Sequence, residues 1–110
     1  MQDPSLSPHI GRVVRIKKGR DAGQYAIIVG QLNDHMVLVA DGEKRLFSRP
    51  KKKNITHVHL CSYVSPEVKN SMIETGRVTN GKLRYALYKF RLDYLTEEKG
   101  DEKDGERRCH

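Results

Sequence analysis

Two glycines four residues apart, Gly19 and Gly23, stand between two runs of strand-forming residues. They bracket Arg20, Asp21 and Ala22. Without a Cβ each glycine takes φ > 0 at no steric cost, so the chain reverses within a few residues. Before the turn, Val14 and Ile16 alternate with Arg15 and Lys17, the period of a half-buried strand. After it, Tyr25-Ala26-Ile27-Ile28-Val29 forms a second β-rich run. Asn33-Asp34 separates this from a third, Met36-Val37-Leu38-Val39-Ala40. Asp41-Gly42 then carries the residues of a tight type I′ hairpin turn. Three short strands bury too little by themselves, so the stretch from His9 to Gly42 requires further strands to close a small barrel.

The next segments supply them. Glu43 to Arg49 reads as a short fourth strand with Leu46 pointing inward, ended by Pro50, which has no N–H for a ladder. Lys51-Lys52-Lys53-Asn54 reads as an exposed loop, and a fifth strand, starting at Ile55 or Val58 and ending at Cys61, closes against the first. The pattern changes at Tyr63. Ser65-Pro66-Glu67 is a helix start, with a capping hydroxyl, a proline suited to the first turn and an acid at the positive end. Val68, Met72 and Ile73 make that helix's apolar stripe, and Gly76 ends it. A second helix begins with Thr79 or Asn80 as cap and lines up Leu83, Ala86, Leu87, Phe90 and Tyr94 on one face. The two helices pair with each other or pack on the barrel's side. The resulting division is a flexible leader over residues 1–8, a barrel over 9–63, a helical appendage over 64–95 and a disordered charged tail over 96–110.

Composition narrows the function classes. Only 36% of the 110 residues are hydrophobic, which suits one small core. There are 21 Lys+Arg against 14 Asp+Glu, a net charge of +7, and this favours a polyanionic partner. The excess belongs to the folded part, because residues 96–110 hold four basic against six acidic side chains. No apolar run approaches the roughly 18 residues of a membrane span, and no secretory signal pattern opens the chain. Two cysteines, Cys61 and Cys109, with no CxxC pair imply no disulfide framework, which fits a reducing cytoplasm. No Ser/His/Asp or Cys/His order, phosphate loop or paired carboxylate in an apolar setting points to catalysis, and no cofactor is implied. His57, His59 and Cys61 alternate and would share one strand face, but ligands so spaced stretch over about 13 Å, too far for one tetrahedral ion. No metal site is read from them.

The run from Gly11-Arg12-Val13-Val14 through Gly19-Arg20-Asp21-Ala22-Gly23-Gln24, followed by the apolar strand, resembles a KOW motif. Such motifs occur in ribosomal proteins and in transcription elongation factors of the NusG type. The fuller likeness is to the archaeal and eukaryotic large-subunit ribosomal KOW proteins and their small bacterial relatives. Those share the Gly-Arg-x-Ala-Gly turn, the valine-rich strand and a basic run followed by Asn-Ile-x-His, here Lys53-Asn54-Ile55-Thr56-His57. The likeness covers Ile10 to Leu60, about half of the chain. It implies a small SH3-like barrel there, so the expected fold is mostly β, this barrel followed by the two C-terminal helices and the tail read from the residues above. It also implies a cytoplasmic, monomeric RNA-binding protein that docks on structured RNA, in the first place ribosomal RNA, with ribosomal proteins as further partners. The alternative is a protein-interaction module that binds RNA polymerase or a translation factor, as KOW-like barrels of elongation factors do.

The candidate RNA-binding residues form two clusters. One is Arg15, Lys17, Lys18 and Arg20 on the first strand and its turn. The other is Lys44, Arg45, Arg49, Lys51, Lys52 and Lys53. If the barrel closes, the Gly19–Gly23 turn and the segment after Pro50 come together as one phosphate-tracking surface, where the glycines let backbone N–H groups approach phosphate. Asn54 and His57 are candidates for base or ribose contacts, with a self-bonding turn and a surface strand position as their alternative roles. Tyr85 and Tyr88, beside Arg84, Lys89 and Arg91, are candidates for stacking on unpaired bases or for an aromatic rim of the core.

Overall fold

A computed structural model of the chain describes residues 9–95, so the expected leader and tail lie outside the described residues. Five antiparallel strands, β1 (Arg12–Ile16), β2 (Tyr25–Gln31), β3 (Met36–Ala40), β4 (Lys51–Asn54) and β5 (Val58–Val64), form one sheet in the order β4-β3-β2-β1-β5. As expected, the last strand pairs with the first, Val14 opposite Leu60 and Ile16 opposite Val58. The mostly β class with two C-terminal helices, α1 (Pro66–Thr75) and α2 (Asn80–Phe90), is therefore the observed one.

In β2 the four residues Ala26 to Val29 are all buried, which a strand with one wet face does not show. Both faces are covered. Val14, Ile16, Ala26, Ile28, Val37, Val39 and Val58 cluster on the inner face. Val13, Ile27, Val29, Ala40 and Cys61 pack on the other face against Val68 of α1 and Leu83, Ala86, Leu87 and Phe90 of α2. The helices thus pair and also seal the outside of the sheet. Around Phe90, Tyr25, Tyr63 and Tyr94 set their rings 5.1, 5.8 and 5.2 Å from its centroid.

The sheet curls. β4 and β1 are three strands apart, about 14 Å in a flat sheet. Yet the Lys53 Nζ on β4 donates to the Lys18 carbonyl just after β1, at 3.3 Å. A single 3-10 turn, Ile55–His57, joins β4 to β5 at this end, and the Lys17 N–H donates to the His57 carbonyl at 2.8 Å.

The helix ends follow the capping chemistry. Ser65 accepts from the Val68 N–H with Pro66 in the first turn, and Gly76 closes α1 at φ 75°. Thr79 caps α2 by accepting from the Lys82 N–H. Ile73, expected in the apolar stripe, is 54% exposed because α1 turns Val68 and Met72 to the core instead.

Three further expectations are corrected. Glu43 to Arg49 is a loop, not a fourth strand. Its polar backbone is satisfied locally: the Asp41 and Gly42 N–H groups donate to the Arg45 carbonyl, and Arg49 donates to Leu46. The Phe47 N–H donates to Asn80 Oδ1 at 2.8 Å, so the loop is fastened to the start of α2 rather than to a strand. The edge of β3 is instead taken by Lys51–Asn54, expected to be a loop, with Val37 opposite Lys53 and Val39 opposite Lys51. Leu46 is accordingly exposed, and Phe47 is the loop residue that packs on the helix-side core. Last, Asp41-Gly42 is no type I′ turn: that turn needs φ > 0 at both positions, and Gly42 alone has it. Asp41 Oδ1 accepts from the Glu43 and Arg45 N–H groups and starts a wider loop.

Candidate nucleic-acid interface

The two basic clusters do meet. The loop between β1 and β2 is held by the Gly23 N–H donating to the Ile16 carbonyl at 2.8 Å and the Ala22 N–H donating to Gly19 at 3.1 Å. Both glycines have φ above 90°, so the tight turn depends on them. Lys17, Lys18 and Arg20 are exposed on it. Lys53 stands over this loop: a Cβ placed on Gly19 would lie 3.2 Å from its Nζ.

Strand geometry splits the lysine run, which a loop reading treats as uniform. Residues opposite each other in an antiparallel ladder point to the same side. Lys51 and Lys53 face Val39 and Val37, so their stems leave on the inner face, over the apolar end of the barrel. Lys52 faces Leu38 and leaves on the other side, exposed. Lys51 and Lys53 line a hollow of about 90 Å³ with Asp21, Asp41, Lys44 and Arg45. Its floor includes Ile16, Ala26 and Val39, so the lysine stems cover apolar surface while the ammonium groups stay wet.

A second hollow, about 340 Å³, shares Gln24, Tyr25, Asp41 and Lys44 with the first. It continues the groove to Arg84, Tyr88 and Arg91 of α2 and the turn after it. What joins the two halves is the docking of the 41–45 loop on α2. Gly42 lies against the Asn80 carbonyl and the Leu83 and Arg84 side chains, and Arg84 Nη1 donates to the Gly42 carbonyl at 2.8 Å. Of the stacking candidates expected on the second helix, Tyr88, Arg84 and Arg91 line this extension, and Tyr85 and Lys89 do not. That they continue the lysine groove depends on the docking of the 41–45 loop, which has no local signal in the sequence.

The other expected residues fall as follows. Arg15 is half-buried on the helix-side face, opposite Tyr25 and His59. Arg49 is exposed in the turn before Pro50. Asn54 uses its Oδ1 on the Thr56 N–H and hydroxyl, at 2.9 and 2.8 Å, which is the self-bonding turn role. His57 is exposed in the 3-10 turn beside Lys17. Cys61 is buried in the helix-side core, so it does not share an accessible face with His57. Among the described residues no group of three His, Cys, Asp or Glu side chains is placed to hold a metal ion, and no helix is long and apolar enough to cross a membrane.

No family model matches the chain. The chain is 52% identical over 71 residues to a protein of Bacillus subtilis (strain 168) named "Putative ribosome-binding protein YbzG". That stretch is 64% of this chain and 96% of the relative. The chain belongs to the YbzG family.

Proposed function

We propose that this protein is a cytoplasmic, non-catalytic ribosome-binding protein whose barrel, of KOW type, docks on structured ribosomal RNA through the basic groove. The observation that carries the reading is the meeting of Lys53 with the Lys18–Gly19 turn, which gathers lysines from two distant segments onto one surface. The name of its relative in the YbzG family supports the ribosome as the target. An A-form duplex offers mainly phosphates and ribose hydroxyls, so flexible point charges such as Lys18, Lys51 and Lys53 suit it better than planar, base-reading forks do. Binding is then governed by shape and charge rather than base sequence.

The test is cosedimentation of the full chain with ribosomes, followed by sequencing of RNA crosslinked to it in cells. Recovery of defined ribosomal RNA segments at low salt, lost in the Lys51→Ala/Lys53→Ala variant, is the expected result. A protein contact is the second reading, favoured by a shallow, mainly apolar hollow beside Phe47, Thr75 and Val78, away from the groove. Crosslinks to a ribosomal protein, a translation factor or RNA polymerase without RNA would favour it.

A further inference from the structure

The groove does not end at the lysines. Its larger hollow is bordered by Tyr88, which is 55% exposed and sits between Arg84 and Arg91 on one flank of α2. The three stand at i, i+4 and i+7, so they are neighbours along the helix surface. Arg84 is held in place by its bond to the Gly42 carbonyl, and Lys44 reaches in from the loop that Gly42 anchors. Two acids, Asp41 and Glu43, line the same hollow. Against these two acids stand three cations, Lys44, Arg84 and Arg91, so the lining carries a net charge of +1, and Asp41 Oδ1 is turned to two backbone N–H groups. A hollow of about 340 Å³ is at the small end of ligand sites, suited to one flat ring system and too small for a duplex.

We propose that this hollow takes an unpaired nucleotide of single-stranded RNA, its base stacked on Tyr88 and its flanking phosphates between Lys44 and Arg91. A wet aromatic ring flanked by cations is the arrangement by which single strands are held: any base offers a π-face, and the cations track the backbone. The inference rests on the RNA-binding reading and extends it. A duplex docks on the Lys18–Lys53 end while an adjoining unpaired nucleotide enters the α2 end. Tyr85, three residues earlier on the helix, does not line the hollow. The two tyrosines, equivalent in sequence, therefore have different roles.

The experiment titrates the full chain against a fluorescent twelve-nucleotide single-stranded RNA, a fully paired hairpin, and the hairpin carrying a single-stranded extension. Tyr88→Ala should weaken binding to the single strand roughly 5- to 150-fold, the range of one lost base stack. Tyr88→Phe should keep most of it, since the ring remains. Tyr85→Ala should match wild type, and none of the three should change hairpin affinity. Each exposed site allows the variant to fold. Equal single-strand affinity for wild type and Tyr88→Ala overturns the inference and leaves duplex binding standing, as does a wild type that binds the hairpin but no single strand. Wild type that binds no RNA at all overturns both.

Discussion

The two faces of this sheet are built differently. The inner face is filled almost wholly by strand residues, Val14, Ile16, Ala26, Ile28, Val37, Val39 and Val58. The outer face is incomplete until the helices arrive with Val68, Leu83, Ala86, Leu87 and Phe90. The inner face runs out at the groove, where Lys51 and Lys53 lay their stems over its edge. The outer face carries the fastening of the 41–47 loop, through Asn80 and Arg84. The helices thus complete the core on one face and hold the 41–47 loop that borders the groove at the edge of the other. The helices are structural partners of the site as well as of the core.

The comparison breaks first at Phe90. It is fully buried on the helix side among Tyr25, Tyr63 and Tyr94. Phe90→Ala should cost about 3–5 kcal/mol, enough to lower Tm by more than 10 °C in a domain of this size. Thermal unfolding by circular dichroism checks it. If Phe90→Ala costs less than 1 kcal/mol, the helices are ornaments on a barrel that is stable alone, and the contrast between the faces is wrong.

Glycine sharpens the comparison next. Gly23 and Gly42 both have positive φ, 91° and 81°. A Cβ on Gly23 meets nothing within 4 Å, whereas one on Gly42 runs into the Asn80 carbonyl and the Leu83 and Arg84 side chains. Left-handed strain of about 1–3 kcal/mol is common to both. Gly42→Ala should therefore destabilise more than Gly23→Ala, and should also loosen the loop that positions Lys44. Equal Tm values for the two variants would show that the loop is not pressed on α2.

These results also mark what the sequence makes legible. The strands β1, β2, β3 and β5 and both helices follow from alternation, capping residues and the apolar helix face, because each is a local signal. β4 does not: three lysines and an asparagine have no apolar alternation, and only the free edge of β3 makes them a strand. Conversely, the residues from Glu43 to Arg49 look strand-like until Asn80, more than thirty positions away, takes the Phe47 N–H. The meeting of the two basic clusters was foreseeable from barrel closure. Which lysines face the groove was not, since that depends on a register set by β3.

Register gives the third test. Lys51→Ala/Lys53→Ala should flatten the dependence of log K on log[salt] for a ribosomal RNA hairpin by about two units, one per phosphate contact. Lys52→Ala, on the other side of the strand, should change it by well under one unit. A salt titration of affinity separates them, and a Lys52→Ala change of about a full unit, as large as each lysine's share of the double variant's effect, would count against the register that puts Lys52 on the other side.

The smallest effect belongs to the helix side. Burial raises the Tyr63 phenol above its usual pKa of 10.0, with Glu67 and Asp93 adding to the shift. Its ring also packs edge-on to Tyr94 at 5.5 Å, in the aromatic cluster that joins β5 to α2. Because the folded value lies above the unfolded one, the unfolded state releases this proton first as pH rises. The contribution is fully present below pH 10 and fades through the folded value above it. Stability should therefore fall on the alkaline side, and Tyr63→Phe should make that fall shallower while leaving Tm at pH 7 nearly unchanged, since the ring remains. Lysine titration contributes to the same region, so the readout is the difference between wild type and variant in Tm against pH from 8 to 11. Parallel curves would mean that Tyr63 ionises as freely in the fold as in the open chain, and that the helix side admits more water than its packing implies.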